Sequence, residues 1–167
     1  NLPTPAFVRL AGDSDLRLAV DQLGFPMMLK PVHEGSSIGM AKVERASDLK
    51  GAWKSAADYD DVVLAERWIV GTEYTVGIVG AEALPLIRLE TPRQFYDYEA
   101  KYQADSTRYH CPCGLPAEQE SKLQELAVRA FDAVAASGWG RVAFFLHEQL
   151  RAWSLHVYLA HGTSDAP

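Results

Sequence analysis

What most constrains this chain is the shortness of its apolar runs. Strand-length apolar stretches alternate with a few stretches of helical period, and Gly or Pro punctuates most junctions. Phe7–Leu10 reads as a strand. Gly12–Asp15 reads as a turn whose short side-chain oxygens cap a helix, with Leu16, Ala19, Val20 and Leu23 on its apolar face. Gly24 and Pro26 end that helix. Met27–Lys30 is a buried strand closed by Pro31, and a polar segment, His33–Gly39, leads to a strand over Met40–Val43. Ser47 is expected to cap a second helix with Leu49, Ala52, Trp53 and Ala56 inward. Val62–Glu66 is another strand. Glu73–Val79 and Ala83–Leu89 form a hairpin around Gly80–Glu82. Residues 91–116 lack periodicity. The longest helix spans about Ala117–Ala136, with Leu123, Leu126, Ala127, Ala130, Phe131 and Val134 on one face. Arg141–Leu146 and Ala152–Tyr158 close the pattern as strands.

Hairpins mixed with helices predict an α+β chain in two lobes, divided near Glu66–Gly71, with a ligand cleft between them. No apolar run approaches the ~18 residues of a membrane span, and no charged-then-apolar leader is visible. Against 22 acidic residues stand 16 Lys and Arg, a net charge of −6. That balance argues against nucleic acid or an anionic membrane as partner. Cys111 and Cys113 are spaced C-x-C, which matches neither a redox C-x-x-C nor a zinc knuckle, and they read as two ordinary thiols. Sparse cysteine fits a reducing cytoplasm.

Several segments carry candidate chemistry. Gly35-Ser-Ser-Ile-Gly39 fits G-x-S-x-G, which makes Ser37 a candidate hydrolase nucleophile if a helix follows. The same small residues also suit a loop whose N–H groups approach a phosphate, or a plain turn. Lys30 ends an apolar strand, where an ammonium needs an anionic partner unless it faces solvent. Beside a donor-rich loop it suits a triphosphate. Glu66-Arg67-Trp68-Ile69 stands at the lobe boundary, where an acid could hold a ribose hydroxyl and strand backbone could meet an adenine edge. Phe95-Tyr-Asp-Tyr-Glu-Ala-Lys-Tyr102 is either a loop pinned by aromatic anchors or a lid bringing Lys101 and Tyr102 to a ligand.

Together, Lys30-Pro31, Glu34–Met40, Glu66–Ile69, Gly71–Val76, Phe95–Tyr102 and Gly138-Trp-Gly-Arg141 resemble the D-alanine–D-alanine ligase family, in its order and spacing, over about residues 2–142. The resemblance implies an ATP-grasp fold, two α+β lobes with the nucleotide cleft between them. The central lobe would occupy residues 1–66 and the C-terminal lobe 67–167, both partial. It implies that ATP phosphorylates one D-alanine and the amine of a second attacks the acyl phosphate, in a cytoplasmic enzyme of peptidoglycan synthesis. By position, Lys30, Ser37 and Lys101 would meet the ATP phosphates. Glu66, Arg67, Trp68 and Ile69 would hold the adenine end, Glu73 the ribose, and Phe95 would pack near the base. Ser36 and Tyr102 would line the dipeptide site. Arg141 would stabilise the tetrahedral intermediate, and Gly162 would offer an amide near the oxyanion. A homodimer is also suggested.

The sequence departs from that family from about residue 143. The positions where the family binds magnesium are Ala143, His156 and Tyr158 here. Magnesium takes oxygen ligands, and none of these supplies a carboxylate or amide oxygen. His147, His156 and His161 could suggest a replacement metal site, but histidines without supporting partners are usually incidental. Impaired phosphoryl transfer is expected, because that chemistry leans on the metal. The alternative is a catalytically dead nucleotide-binding domain.

Overall fold

The structure, a computed structural model, describes residues 2–34, 37–90, 107–147 and 152–158. The described residues fall into two compact units. One comprises residues 5–69, and the other joins residues 2–4 and 70–90 to those from 107 onward. Among the described residues no helix is long and apolar enough to cross a membrane.

The first unit runs β1 (Phe7–Leu10), a 3-10 turn (Asp13–Asp15), α1 (Leu16–Leu23), β2 (Met27–Pro31), β3 (Ala41–Val43), α2 (Ala46–Ala57) and β4 (Val63–Arg67). Its antiparallel sheet has the order β1-β4-β2-β3. Strand side chains alternate between faces. Val8, Leu10, Met27, Leu29, Val43, Val63 and Ala65 therefore point to one side, where they form a single core with Leu16, Ala19 and Leu23 of α1 and Leu49 and Ala56 of α2. Both helix starts differ from expectation. Asp15 turns backwards, its Oδ2 accepting from the N–H of Ala11 (2.8 Å) and Gly12 (3.2 Å), so it ties the turn rather than capping α1. Arg45, not Ser47, is the cap residue of α2. Ser47 lies in the first turn and donates to Asp48 Oδ1 at 2.9 Å, where Arg45 also pairs with Asp48.

The second unit contains β5 (Gly71–Val79), β6 (Glu82–Ala83), β7 (Ile87–Glu90), β8 (Arg108–His110), α3 (Ala117–Ala133), β9 (Trp139–His147) and β10 (Ala152–Tyr158). Its sheet runs β10-β9-β5-β7-β8, with β6 also on β5. β8 falls inside the span expected to be structureless. The expected return strand over Ala83–Leu89 is split. Ile78 faces Ala83 and Thr75 faces Ile87, so two β5 residues oppose three on the return segment. This is a bulge, and it contains Pro85, which has no N–H for a ladder. Leu86 instead donates to Glu120 Oε1 of α3 at 2.9 Å. Leu123, Ala127, Ala130 and Phe131 of α3 pack on Tyr74, Val76, Ile78, Val142 and Phe144. The helix ends at Ala133, short of the expected Ala136, so Val134 is exposed rather than inward. Gly140 allows the sheet to approach Phe131 closely, since a Cβ there would lie 2.5 Å from the ring.

Candidate functional site

Each sheet has a second face, turned away from its helices. In the first unit, alternation puts Met28 and Lys30 of β2, Lys42 of β3, and Leu64 and Glu66 of β4 on it, because their neighbours Met27, Leu29, Val43, Val63 and Ala65 enter the helical core. The register aligns Lys42, Met28 and Glu66 across three strands. Lys30 stands on an interior strand, with its side chain 29% exposed. Its Nζ lies 2.8 Å from Glu66 Oε2, whose side chain is only 11% exposed. This is the anionic partner that a lysine in an apolar strand requires.

Lys42 makes a second such pair. Its Nζ donates to Glu44 Oε1 at 2.7 Å, and this holds the Glu44 carboxyl below the ordinary carboxylate range. The same ammonium lies 5.0 Å from the centroid of the Trp68 ring. The peptide N–H groups of Arg67 and Trp68 donate to Ala6 (2.9 Å) and Pro26 (3.2 Å). Those two amides therefore serve the sheet, not a ligand edge. Arg67 opposes Met27, and its guanidinium donates to the Gln22 carbonyl at 3.2 Å near the end of α1. The structure thus separates Arg67 from Lys30 and Glu66, while Trp68 and Ile69 follow β4 half-buried.

The segment before β3 is fastened at its start. Asp60 Oδ2 accepts from the His33 N–H at 2.7 Å and lies 2.8 Å from its Nδ1, while Oδ1 accepts from Val62 N–H at 3.1 Å. The Val62 and His33 amides keep the Asp60 carboxyl below its ordinary value. Ser37 (φ 64°) and Gly39 (φ 68°) both take left-handed backbone. At Gly39 a Cβ would fall 2.7 Å from Pro31 and 2.8 Å from Tyr59. The strand β3, not a helix, follows Ser37, so the strand–turn–helix context of a nucleophile elbow is missing.

In the second unit the face opposite α3 carries Glu73 and Thr75 of β5 and Arg141, Ala143 and Phe145 of β9, since Tyr74, Val76, Val142 and Phe144 point into the core. Ala143 pairs with Thr75 on one side and His156 on the other. Arg141 pairs with Gly77 and Tyr158. Ala143 is 1% exposed and Thr75 6%, and the Thr75 hydroxyl donates to the Val142 carbonyl at 3.2 Å. Ser36, Phe95, Lys101, Tyr102, His161 and Gly162 lie outside the described residues. Sequence reasoning missed Lys42 and Glu44. Alternation along β3 could have placed Lys42 on this face, but its alignment with Met28 is a matter of register.

Residues 2–158 match the family described as D-ala D-ala ligase C-terminus. The chain belongs to the D-alanine–D-alanine ligase family. It is 54% identical over 164 residues to the D-alanine–D-alanine ligase of Alkalilimnicola ehrlichii, covering 98% of this chain and 53% of that protein. For the enzyme of the same name from Methylococcus capsulatus the identity is 49%, with the same coverage of each chain. The VanG D-Ala:D-Ser ligase from Enterococcus faecalis superposes with a TM-score of 0.79 at 28% identity, over 93% of this chain and 47% of that one. D-alanine–D-alanine ligase from Bacillus anthracis gives 0.77 at 28% identity, over 93% and 51%. The chain therefore spans about half the length of the ligases it matches. Its α+β architecture is the ATP-grasp fold that the resemblance implied.

Proposed function

We propose that this chain is the nucleotide-binding portion of a cytoplasmic ligase that joins two D-alanines for peptidoglycan synthesis. ATP would transfer its γ-phosphoryl group to the carboxylate of one D-alanine and leave as ADP. The amine of the second D-alanine would attack the resulting acyl carbon, form the peptide bond, lose a proton and expel phosphate. The carrying observation is the Lys30–Glu66 pair, a half-buried lysine against a largely covered carboxylate on the sheet face away from the helices. An arriving phosphate offers Lys30 a stronger acceptor, which suits a nucleotide site. Glu66, Trp68 and Ile69 would then take the adenine end, Glu73 the ribose, and Arg141 the developing oxyanion. Ser36, Ser37, Phe95, Lys101, Tyr102 and Gly162 would keep the roles the family gives their positions. D-alanine and ATP are the small-molecule partners, and a homodimer is the proposed assembly.

A second reading, nucleotide binding without ligation, is favoured by Ala143. The first of the three family magnesium positions is a buried methyl group, flanked in register by Thr75 and His156. With imidazole and phenol at the other two positions, the residues present do not fit magnesium. No step is therefore assigned to the metal. Calorimetric titration of ATP, with and without magnesium, tests both readings. It should be run on this chain and on the variant Ala143→Asp, His156→Glu, Tyr158→Asn. The expected result is metal-independent binding by the chain and a magnesium-dependent gain in the variant. No binding by either protein overturns the nucleotide site itself.

A further inference from the structure

Lys42 has no place in the site as sequence reasoning composed it, yet it shares a face with the Lys30–Glu66 pair. Across β3, β2 and β4 the register runs Lys42, Met28, Glu66, so a lysine and a glutamate flank one methionine, with Lys30 two residues along β2 on the same face. Met28 is buried although it points away from the helical core. Each lysine has its own carboxylate, Glu66 for Lys30 and Glu44 for Lys42. What distinguishes Lys42 is the aromatic ring beneath it, the Trp68 indole at 5.0 Å. Trp68 follows β4 directly, and its N–H is committed to Pro26, so its backbone is fixed. A cation over the ring face restrains rotation about its side-chain torsions. The Lys42 side chain is 24% exposed, so its stem is largely covered while its ammonium meets Glu44 at the surface.

We infer that Lys42 is a positioning residue of the nucleotide site, holding the Trp68 indole by a cation–π contact so that the ring is set before the base arrives. This rests on the proposed nucleotide-binding reading. An aromatic wall already fixed loses less side-chain freedom when a planar base settles beside it. The ammonium stays with Glu44 and Trp68, whereas Lys30 is the cation offered to phosphate. Arginine at position 42 should serve as well, because a guanidinium also stacks on indole.

The test titrates ATP and AMP calorimetrically into this chain and into its Lys42→Met and Lys42→Arg variants. Lys42→Met keeps the apolar stem beside Met28, which guards against simple misfolding. The expected result is an equal loss for both nucleotides, about three- to tenfold, in Lys42→Met and near-complete rescue in Lys42→Arg. A purely structural role would not move Trp68 itself. The ring's own emission, taken as the difference from a Trp68→Phe background, should shift in Lys42→Met and not in Lys42→Arg. If the unaltered chain binds ATP but Lys42→Met binds it equally well, the inference fails and the nucleotide site stands. A loss that grows from AMP to ATP also overturns it, by making Lys42 a phosphate ligand. If the unaltered chain binds no ATP, the nucleotide reading fails and the inference fails with it.

Discussion

The two sheets solve the same packing problem and then diverge. Each turns one face to its helices and fills it with apolar side chains. On the other face, the first sheet keeps charge together with countercharge: Lys30 with Glu66 and Lys42 with Glu44. On the second sheet that face carries a buried alanine, Ala143, paired in register with Thr75 and His156. Its core is filled, since Phe131, Val142, Phe144 and Leu86 are all fully enclosed. Packing and chemistry are thus separable within one sheet. Substitutions on the face away from α3 can change its chemistry while the helix side continues to specify the fold.

The sharpest attempt to break this comparison is in the second core. Phe131→Ala should lower stability by about 3–5 kcal/mol, read by denaturant unfolding. A value near zero would mean that the second core contributes little to holding the fold. Next comes Lys30→Ala, which should weaken ATP binding by about ten- to a hundredfold, because charge-assisted hydrogen bonds contribute roughly 1.5–3 kcal/mol. An unchanged affinity would place the phosphates elsewhere. Glu66→Ala leaves the Lys30 ammonium without its carboxylate and should cost about 1–3 kcal/mol of stability, with Glu66→Gln milder. A neutral outcome would show that Lys30 reaches water without rearrangement.

The smallest effect concerns pH. Asp60 has a folded carboxyl pKa below its unfolded value. Its stabilisation is therefore complete above the unfolded pKa of about 3.9 and is lost as pH falls through the lower folded value. Asp60→Asn should flatten the acid side of the stability curve and leave its slope near neutrality unchanged. Thermal unfolding from pH 2 to 7 decides this, and identical acid slopes would dismiss the anchoring role of Asp60.

Much of the fold was legible because short apolar runs with clear stops leave few alternatives. The core strands of the first sheet and the Leu123–Phe131 face of α3 follow directly from period and punctuation. Less legible were features set by partners distant in sequence. β8 is too short to announce itself. The break around Pro85 depends on Glu120 of α3, which supplies the acceptor for the Leu86 amide. The helix starts turned on competition among neighbouring polar side chains, where Asp15 and Ser47 each found another partner. The site divides likewise. The place of Lys30 at the end of an apolar strand was readable and left two readings, a solvent-facing lysine or one with an anionic partner, but the identity of that partner was not. The contact between Lys42 and Trp68 joins residues 26 positions apart and had no local signal.

The pairing of β5 with β9 has a consequence for synthesis on the ribosome. Even the nearest residues of that ladder, Val79 and Trp139, are separated by 60 positions. At roughly 5–20 residues per second, β5 emerges several seconds before its longest partner exists. The first sheet completes all of its pairings within residues 7–67 and can close during that interval. One edge of β5, rich in Tyr74, Val76 and Ile78, meanwhile waits as an open template for strands from other nascent chains. Slower translation between β7 and β9 would therefore lengthen exposure to aggregation without altering any contact in the finished protein.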